Sequence, residues 1–218
     1  LTCIDLSAAS LSYAKRKINE LGINNVQLIQ MDLLEVRLLE KQFDIISCSG
    51  VLHHIDEPLK GLKALLNILK TDGFLKLGLY SESARQDIIQ ARKYIANKKI
   101  KSNPKNIRDF RKKIISGELK NLKSLTNVSD FYTLSECRDL CFHEKEHRFN
   151  IKQLQDILKS NQLDFLGFGL PVPFKDLYKK YFPEDKEQTN LKNWEIFEEE
   201  YPNTFRAMYQ FWSKKLNI

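Results

Sequence analysis

The sequence predicts an α/β fold: a doubly wound parallel sheet with a helical insertion and an aromatic helical tail. Three observations point there. Short β-compatible runs alternate with amphipathic helical runs up to Tyr80, cap and turn residues punctuate them, and the alternation stops after Tyr80 and resumes near Asn150. Strands spaced by helices in this way are parallel, because a right-handed crossover is the available link between parallel neighbours. A chain of 218 residues with 42% hydrophobic composition has enough apolar surface for a sizeable core.

Residues 1–5, LTCID, run apolar up to an acid and read as a strand. A helix follows over 8–21, with Leu11, Ala14, Ile18 and Leu21 at helical spacing, Ser7 as its cap and Gly22 just past its end. VQLIQ is the second strand, closing at Met31-Asp32, and FDIISCS is the third. Pro58 suits the first turn of a helix through Leu69, whose stripe is Leu59, Leu62, Leu65, Leu66 and Leu69. Thr71-Asp72-Gly73 is expected to turn the chain into the fourth strand, FLKLGLY.

Residues 81–149 read as a mostly helical insertion, interrupted at Asn103-Pro104 and Ser116-Gly117. Asn150 can cap a helix holding Ile151, Leu154, Ile157 and Leu158, and DFLGFGL is a further strand ended by Pro171 and Pro173. The remainder, with Trp194, Phe197, Tyr201, Phe205, Tyr209, Phe211 and Trp212, reads as helical, its aromatic stripe as core. Three parts result: 1–80, 81–149 and 150–218.

The net charge of +7 is concentrated, since 91–123 carries twelve Lys or Arg against only Asp109 and Glu118. The plain reading is a solvated basic face; the other is a surface for an anionic partner, nucleic acid included. Only Tyr94 and Phe110 interleave the charges, which is poor for stacking single strands. No apolar run approaches the ~20 residues that cross a bilayer and no secretory signal is recognisable, so the expected location is the cytoplasm. Cys3, Cys48, Cys137 and Cys141 lack CxxC spacing and are expected to be reduced thiols. HEKEH at 143–147 satisfies two zinc-protease patterns, but no HxxGxxH continuation follows. On one helix the Cys137/Cys141 pair would point away from His143 and His147, so no metal is expected.

Ligands of open α/β sheets bind outside the carboxyl ends of the strands. Those ends carry Asp5, Asp32, Cys48-Ser49-Gly50 and Tyr80-Ser81-Glu82. Two carboxylates, small residues that admit a ligand to the backbone, and an aromatic suit a nucleoside. The strings LTCIDLSAASLSYAKRK, VQLIQMDLLE and FDIISCSGVLHHIDEPLKGLKALLNILKTDGFLKLGLYS resemble class I methyltransferases that use S-adenosylmethionine, over Leu1 to about Tyr80. That resemblance implies a Rossmann-like sheet, S-adenosyl-L-methionine as cofactor, and methyl transfer. It places Asp5, followed by Leu6, at the ribose hydroxyls and Asp32, followed by Leu33, at the adenine amino group. Cys48, Ser49, Gly50 and Val51 fall beside the cofactor, with His53 in the VLHH stretch lining the site. Asp5 and Asp32 can alternatively serve as caps for the helices that follow them.

The glycine-rich loop of that family, typically GxGxG after the first strand, has no counterpart, so the chain is expected to lack that strand and loop. FYTLSECRDLCFHEKEHRF and WEIFEEEYPNTFRAMYQFW are similar to bacterial methyltransferases often fused behind tetratricopeptide repeats, which implies an upstream repeat domain but names no substrate. If the acceptor must lose a proton, the candidate bases are His53 first, then His54, Tyr80, Glu82, His143 and His147. The methyl acceptor is unknown, and the positive insertion favours an anionic one. The alternatives are a basic nucleic-acid-binding module and an inactive methyltransferase remnant.

Overall fold

In the computed structural model, which describes residues 1–143, 145–206 and 208–217, the alternating first part folds into two βαβ units. Strand β1 (Thr2–Asp5), helix α1 (Ala8–Glu20) and strand β2 (Gln27–Gln30) form the first, in parallel register with Asp5 opposite Gln30. Ser7 caps α1 by accepting from the Ser10 amide at 3.2 Å, and Gly22 beyond its end has φ +67°, where a side chain would be strained. A 3-10 helix (Leu33–Leu39) leads on to β3 (Phe43–Ser49). After a short 3-10 turn (Leu52–His54) come α2 (Pro58–Ile68) and β4 (Leu69–Leu79), parallel to β3 with Ser49 opposite Gly78.

The expected turn at Thr71-Asp72-Gly73 lies within β4 and not before it. The chain passes from α2 directly into β4 at Leu69, and the register jumps from Phe43↔Leu69 to Ile45↔Phe74. The three residues bulge out of the strand, with Asp72 at φ 61°. Leu69 is 1% exposed, so its burial starts the strand on the core before the turn residues are reached.

Between β4 and the return to the sheet lie α3 (Gln86–Asn97), α4 (Pro104–Ile115), two 3-10 helices (Lys120–Asn127 and Ser129–Phe131) and α5 (Leu134–Phe142). They bury an apolar cluster of their own, including Ile88 and Ala91 of α3, Ile107, Phe110 and Ile114 of α4, and Cys137 and Cys141 of α5. The helical spacing of the α4 trio leaves Lys105, Arg108, Lys112 and Lys113 on the exposed face.

The chain returns through α6 (Ile151–Ser160), whose Asn150 and Gln153 form a reciprocal capping box, then β5 (Leu163–Phe168), α7 (Val172–Tyr181), α8 (Leu191–Glu200) and β6 (Tyr209–Lys215). The tail is therefore helical only to Glu200. β6 is a strand, antiparallel to both β4 and β5, and completes a sheet of order β3-β4-β6-β5. The aromatic spacing 194, 197, 201, 205 is helical, but from 209 the buried side chains are Tyr209, Phe211 and Ser213, a period of two. Those inward side chains fill the main core with Phe168, Trp194, Phe197 and Phe205.

Among the described residues β1 and β2 form a separate two-stranded sheet, in which β1 is paired only with β2, while β3 is paired only with β4. The first buried residue along the chain is Val36. An open groove of about 760 Å³ runs along α1 and β2, lined by Leu11 and Leu28 among others.

Candidate active site

The parallel registers gather the predicted residues at strand ends. Asp5 ends β1 opposite Gln30, two residues before Asp32, so both acids sit on one edge of that small sheet. Asp32 also caps the 3-10 helix, its Oδ1 accepting from the Leu34 amide at 2.9 Å, whereas Asp5 Oδ1 accepts from the amide of Ser7, the residue that caps α1, at 2.7 Å. Leu6 is exposed. Leu33 packs towards α2: a Cβ on Gly61 would lie 2.9 Å from a Leu33 methyl and 2.7 Å from a Leu52 methyl. The segment after Asp32 thus lies against the turn that follows β3.

At the end of β3, Ser49 is exposed, whereas Cys48 points into the core and burial pushes its thiol up to about 11. Gly50 has φ +80° with no atom within 4 Å of where a Cβ would be, and its amide donates to the Gly78 carbonyl at 3.3 Å. An exposed and a half-buried acid, an exposed hydroxyl and an uncovered glycine backbone leave room and polar groups for a nucleoside, so these residues fit the cofactor implied by the sequence.

On the other side of this turn lies an aromatic and ionic cluster. His53 is fully buried, its ring stacked on Tyr80 with centroids 3.6 Å apart and 24° between planes. His54 packs edge-on to Tyr80, and His143 lies 4.1 Å from His54, centroid to centroid. Among the described residues neither nitrogen of His53 has a hydrogen-bond partner, although the Gly78 carbonyl is close enough to favour its protonated form. Burial, with the charges of His54 and Arg85, holds the imidazole down to about 3, so it is neutral at physiological pH. Burial likewise raises the Tyr80 phenol.

The described residues of the HEKEH stretch lie beyond α5, outside any helix. Its Glu144 is not among the described residues. His147 donates its amide to the His53 carbonyl at 2.8 Å, and Phe149 does the same to Tyr80 at 2.9 Å. Within the described residues no set of His, Cys, Asp and Glu side chains is grouped as a metal site would be. A cavity of about 370 Å³ lies beside Asp56, Lys145, Glu146 and His147.

Sequence reasoning missed three groups here. Glu146, with a fully buried side chain, grips Arg85 through two hydrogen bonds of 3.3 and 2.8 Å. Burial works to raise its carboxyl, but Arg85 and Arg92 outweigh burial and hold it below the usual range. Buried Glu198 accepts from Ser81 Oγ at 2.7 Å and from the Tyr209 hydroxyl at 2.6–2.7 Å. Nothing in the local pattern marks Arg85; Glu146 was visible only as part of a metal-like motif, and Glu198 only as one acid of an acidic run.

Residues 1–77 match the family model of a methyltransferase domain. The matched span includes Asp5, Asp32, Cys48, Ser49, Gly50 and His53. Over 177 residues, 78% of this chain, the sequence is 30% identical to an uncharacterised Synechococcus protein, covering 42% of it. It is 31% identical over 125 residues to the ubiquinone biosynthesis O-methyltransferase of Glaesserella parasuis, 55% of this chain and 51% of that enzyme. The chain thus spans about half the length of these relatives. Among solved structures, PKMT2 from Rickettsia typhi in complex with AdoHcy superposes on 100% of this chain and 44% of its own, with TM-score 0.69 at 19% identity. The plantazolicin methyltransferase BpumL in complex with SAH covers 100% and 66%, with TM-score 0.50 at 14% identity. The fold is therefore the Rossmann-like α/β fold of these methyltransferases.

Proposed function

We propose that this chain is part of an S-adenosylmethionine-dependent methyltransferase acting on an acceptor still to be identified. The observation that carries the reading is the methyltransferase-domain match over 1–77, within which Asp5, Asp32 and Ser49-Gly50 all fall at strand ends. In this reading Asp5 and Leu6 hold the ribose, Asp32 and Leu33 the adenine, and Ser49 and Gly50 approach with hydroxyl and backbone. Cys48, facing the core, contributes its backbone only. The bound cofactor supplies an electrophilic sulfonium methyl, and the chain's task is to position a nucleophile against it.

The acceptor side is the cluster of His53, Tyr80 and His143, bordered by His147. A fully buried, neutral imidazole can orient the Tyr80 ring stacked on it, whereas a pKa near 3 makes it a weak store for a proton. His143, whose ring lies beside His54, is then the better placed candidate for proton handling. Residues 1–80 form the cofactor unit, 81–149 a lid, and 150–218 the rest of the core. The exposed lysines and arginines of α4 support attraction of an anionic acceptor, screened beyond ~8 Å at physiological salt.

The open edges of β1 and β3, and the lack of any buried residue before Val36, support one further parallel strand between the two sheets, followed by the cofactor's glycine loop. The test is calorimetry with S-adenosylhomocysteine on the 218-residue chain and on a version extended upstream. Binding by the extended protein alone is expected. Absence of binding by both would overturn the proposed function.

A further inference from the structure

The HEKEH stretch is not used by the cofactor unit, yet one of its residues lies at the centre of the buried ionic cluster. Glu146 hydrogen-bonds the Arg85 guanidinium through Nε and Nη2, and Arg92 and Arg148 approach the same carboxylate at 3.7 and 3.4 Å. The Arg85 guanidinium carbon lies 3.6 Å from the centre of the Tyr80 ring, and the His53 ring centre lies 3.6 Å from it as well. Two planar groups that close to one ring centre overlap if they share a face. They therefore hold Tyr80 from opposite sides.

We infer that Arg85 and Glu146 are positioning residues, which clamp Tyr80 against His53 and so set the acceptor side of the site proposed above. The bidentate pair fixes the rotation of the guanidinium, and the fixed guanidinium fixes the phenol ring by cation–π contact. The geometry requires the fork and flat face of arginine, which lysine lacks. The same return segment is stitched to the site by its backbone, through His147 to His53 and Phe149 to Tyr80, while the Lys145 carbonyl lies 3.1 Å from His54 Nδ1. Residues 145–149 thus join the insertion to the strand ends. The inference rests on the methyltransferase reading for its catalytic meaning, but its geometry can be tested separately.

The protein has four histidines, so the ring protons of each can be assigned by substitution and followed by NMR. In the wild type, nuclear Overhauser contacts are expected from the Tyr80 ring to both the Arg85 side chain and the His53 ring. The groups facing the stack are His54, His143, Arg85 and Glu146, with Asp130 and Asp139 contributing at longer range. Glu146→Gln and Arg85→Lys are each expected to shift the His53 ring protons downfield, as Tyr80 leaves its face, and to move His53 titration up towards the ordinary histidine range. Arg111→Gln, in the same insertion, should leave both unchanged. A purely structural ion pair would lower the unfolding midpoint without moving the His53 titration, and that result would overturn the inference. If neither variant folds, the wild-type contacts decide, and the absence of either contact sinks the clamp. Calorimetry with S-adenosylhomocysteine separates the two proposals: failed binding by the extended protein removes the methyltransferase reading, whereas unmoved His53 signals remove the clamp.

Discussion

The rings of His53 and Tyr80 lie face to face, 3.6 Å apart, although 26 residues separate them in sequence and they leave the ends of different strands. The parallel register of β3 and β4 places Ser49 beside Gly78, and the turns beyond those residues carry the two rings into contact. Four experiments follow from this arrangement and its surroundings.

Acid should destabilise the protein in a way that depends on His53. Its folded pKa, about 3, lies below the ordinary 6.5, so between those values the unfolded chain binds a proton that the folded chain refuses. Stability from this group is present above 6.5 and falls as pH drops towards 3; His54 is depressed in the same sense. In urea titrations at pH 7, 6, 5 and 4, His53→Gln should lose stability more slowly than the wild type, by up to about 1.4 kcal/mol per pH unit. Parallel curves would show that His53 is protonated in the folded state.

Asp5 should matter to the cofactor beyond its part in the Ser7 turn. Asp5→Asn keeps an oxygen for the Ser7 amide but loses the charge, so it separates the two roles. In the upstream-extended protein it should weaken S-adenosylhomocysteine binding by about 1.5–3 kcal/mol, the usual worth of a charge-assisted hydrogen bond. Glu20→Ala, at the far end of α1, should leave affinity unchanged. Equal affinity for the two variants would remove Asp5 from the site.

Gly50 and Gly78 should respond to alanine for different reasons. A Cβ at Gly78 would lie 2.7 Å from Met208 Sδ and 2.8 Å from Ser49 Cβ, an overlap of the kind that costs about 1–3 kcal/mol. At Gly50 there is space, but φ is +80°, so Gly50→Ala meets backbone strain of about 1–2 kcal/mol. Chemical denaturation would measure both. Cofactor affinity in the extended protein should fall for Gly50→Ala, whose methyl group projects into the open space.

Glu198 should be needed for its oxygens more than for its charge. Burial raises its carboxyl, and both hydroxyl donors reach Oε1, which glutamine can reproduce. Glu198→Gln should therefore be milder than Glu198→Ala, which leaves the Ser81 and Tyr209 hydroxyls without their acceptor at about 1–3 kcal/mol each. Unfolding midpoints in the reverse order would show that the ionised carboxylate itself is required.

Local patterns named the first part of the chain well, because each signal there is satisfied by near neighbours. Ser7, Pro58 and Asn150 start helices whatever the chain does elsewhere, and the stripes of α2 and α6 need only an apolar surface to face. The reading placed the start of β4 too late, because buried Leu69 already pairs with Phe43 ahead of the Thr71-Asp72-Gly73 irregularity. It broke down at β6, where aromatic residues that had been spaced as a helix changed period after Phe205.

The sequence by itself determined the α/β class, the acids and glycine at the strand ends and the helical insertion, since periodicity, caps and turn residues act over a few positions. Only the tertiary structure decided that β6 lies between β4 and β5, that Cys48 faces the core, and that Arg85, Glu146, Tyr80 and His53 form one stack. Those contacts join residues 5 to 140 positions apart, and their energy comes from packing and from charges removed from water. Neither is set by sequence spacing, and both exist only once the insertion has folded back onto the sheet.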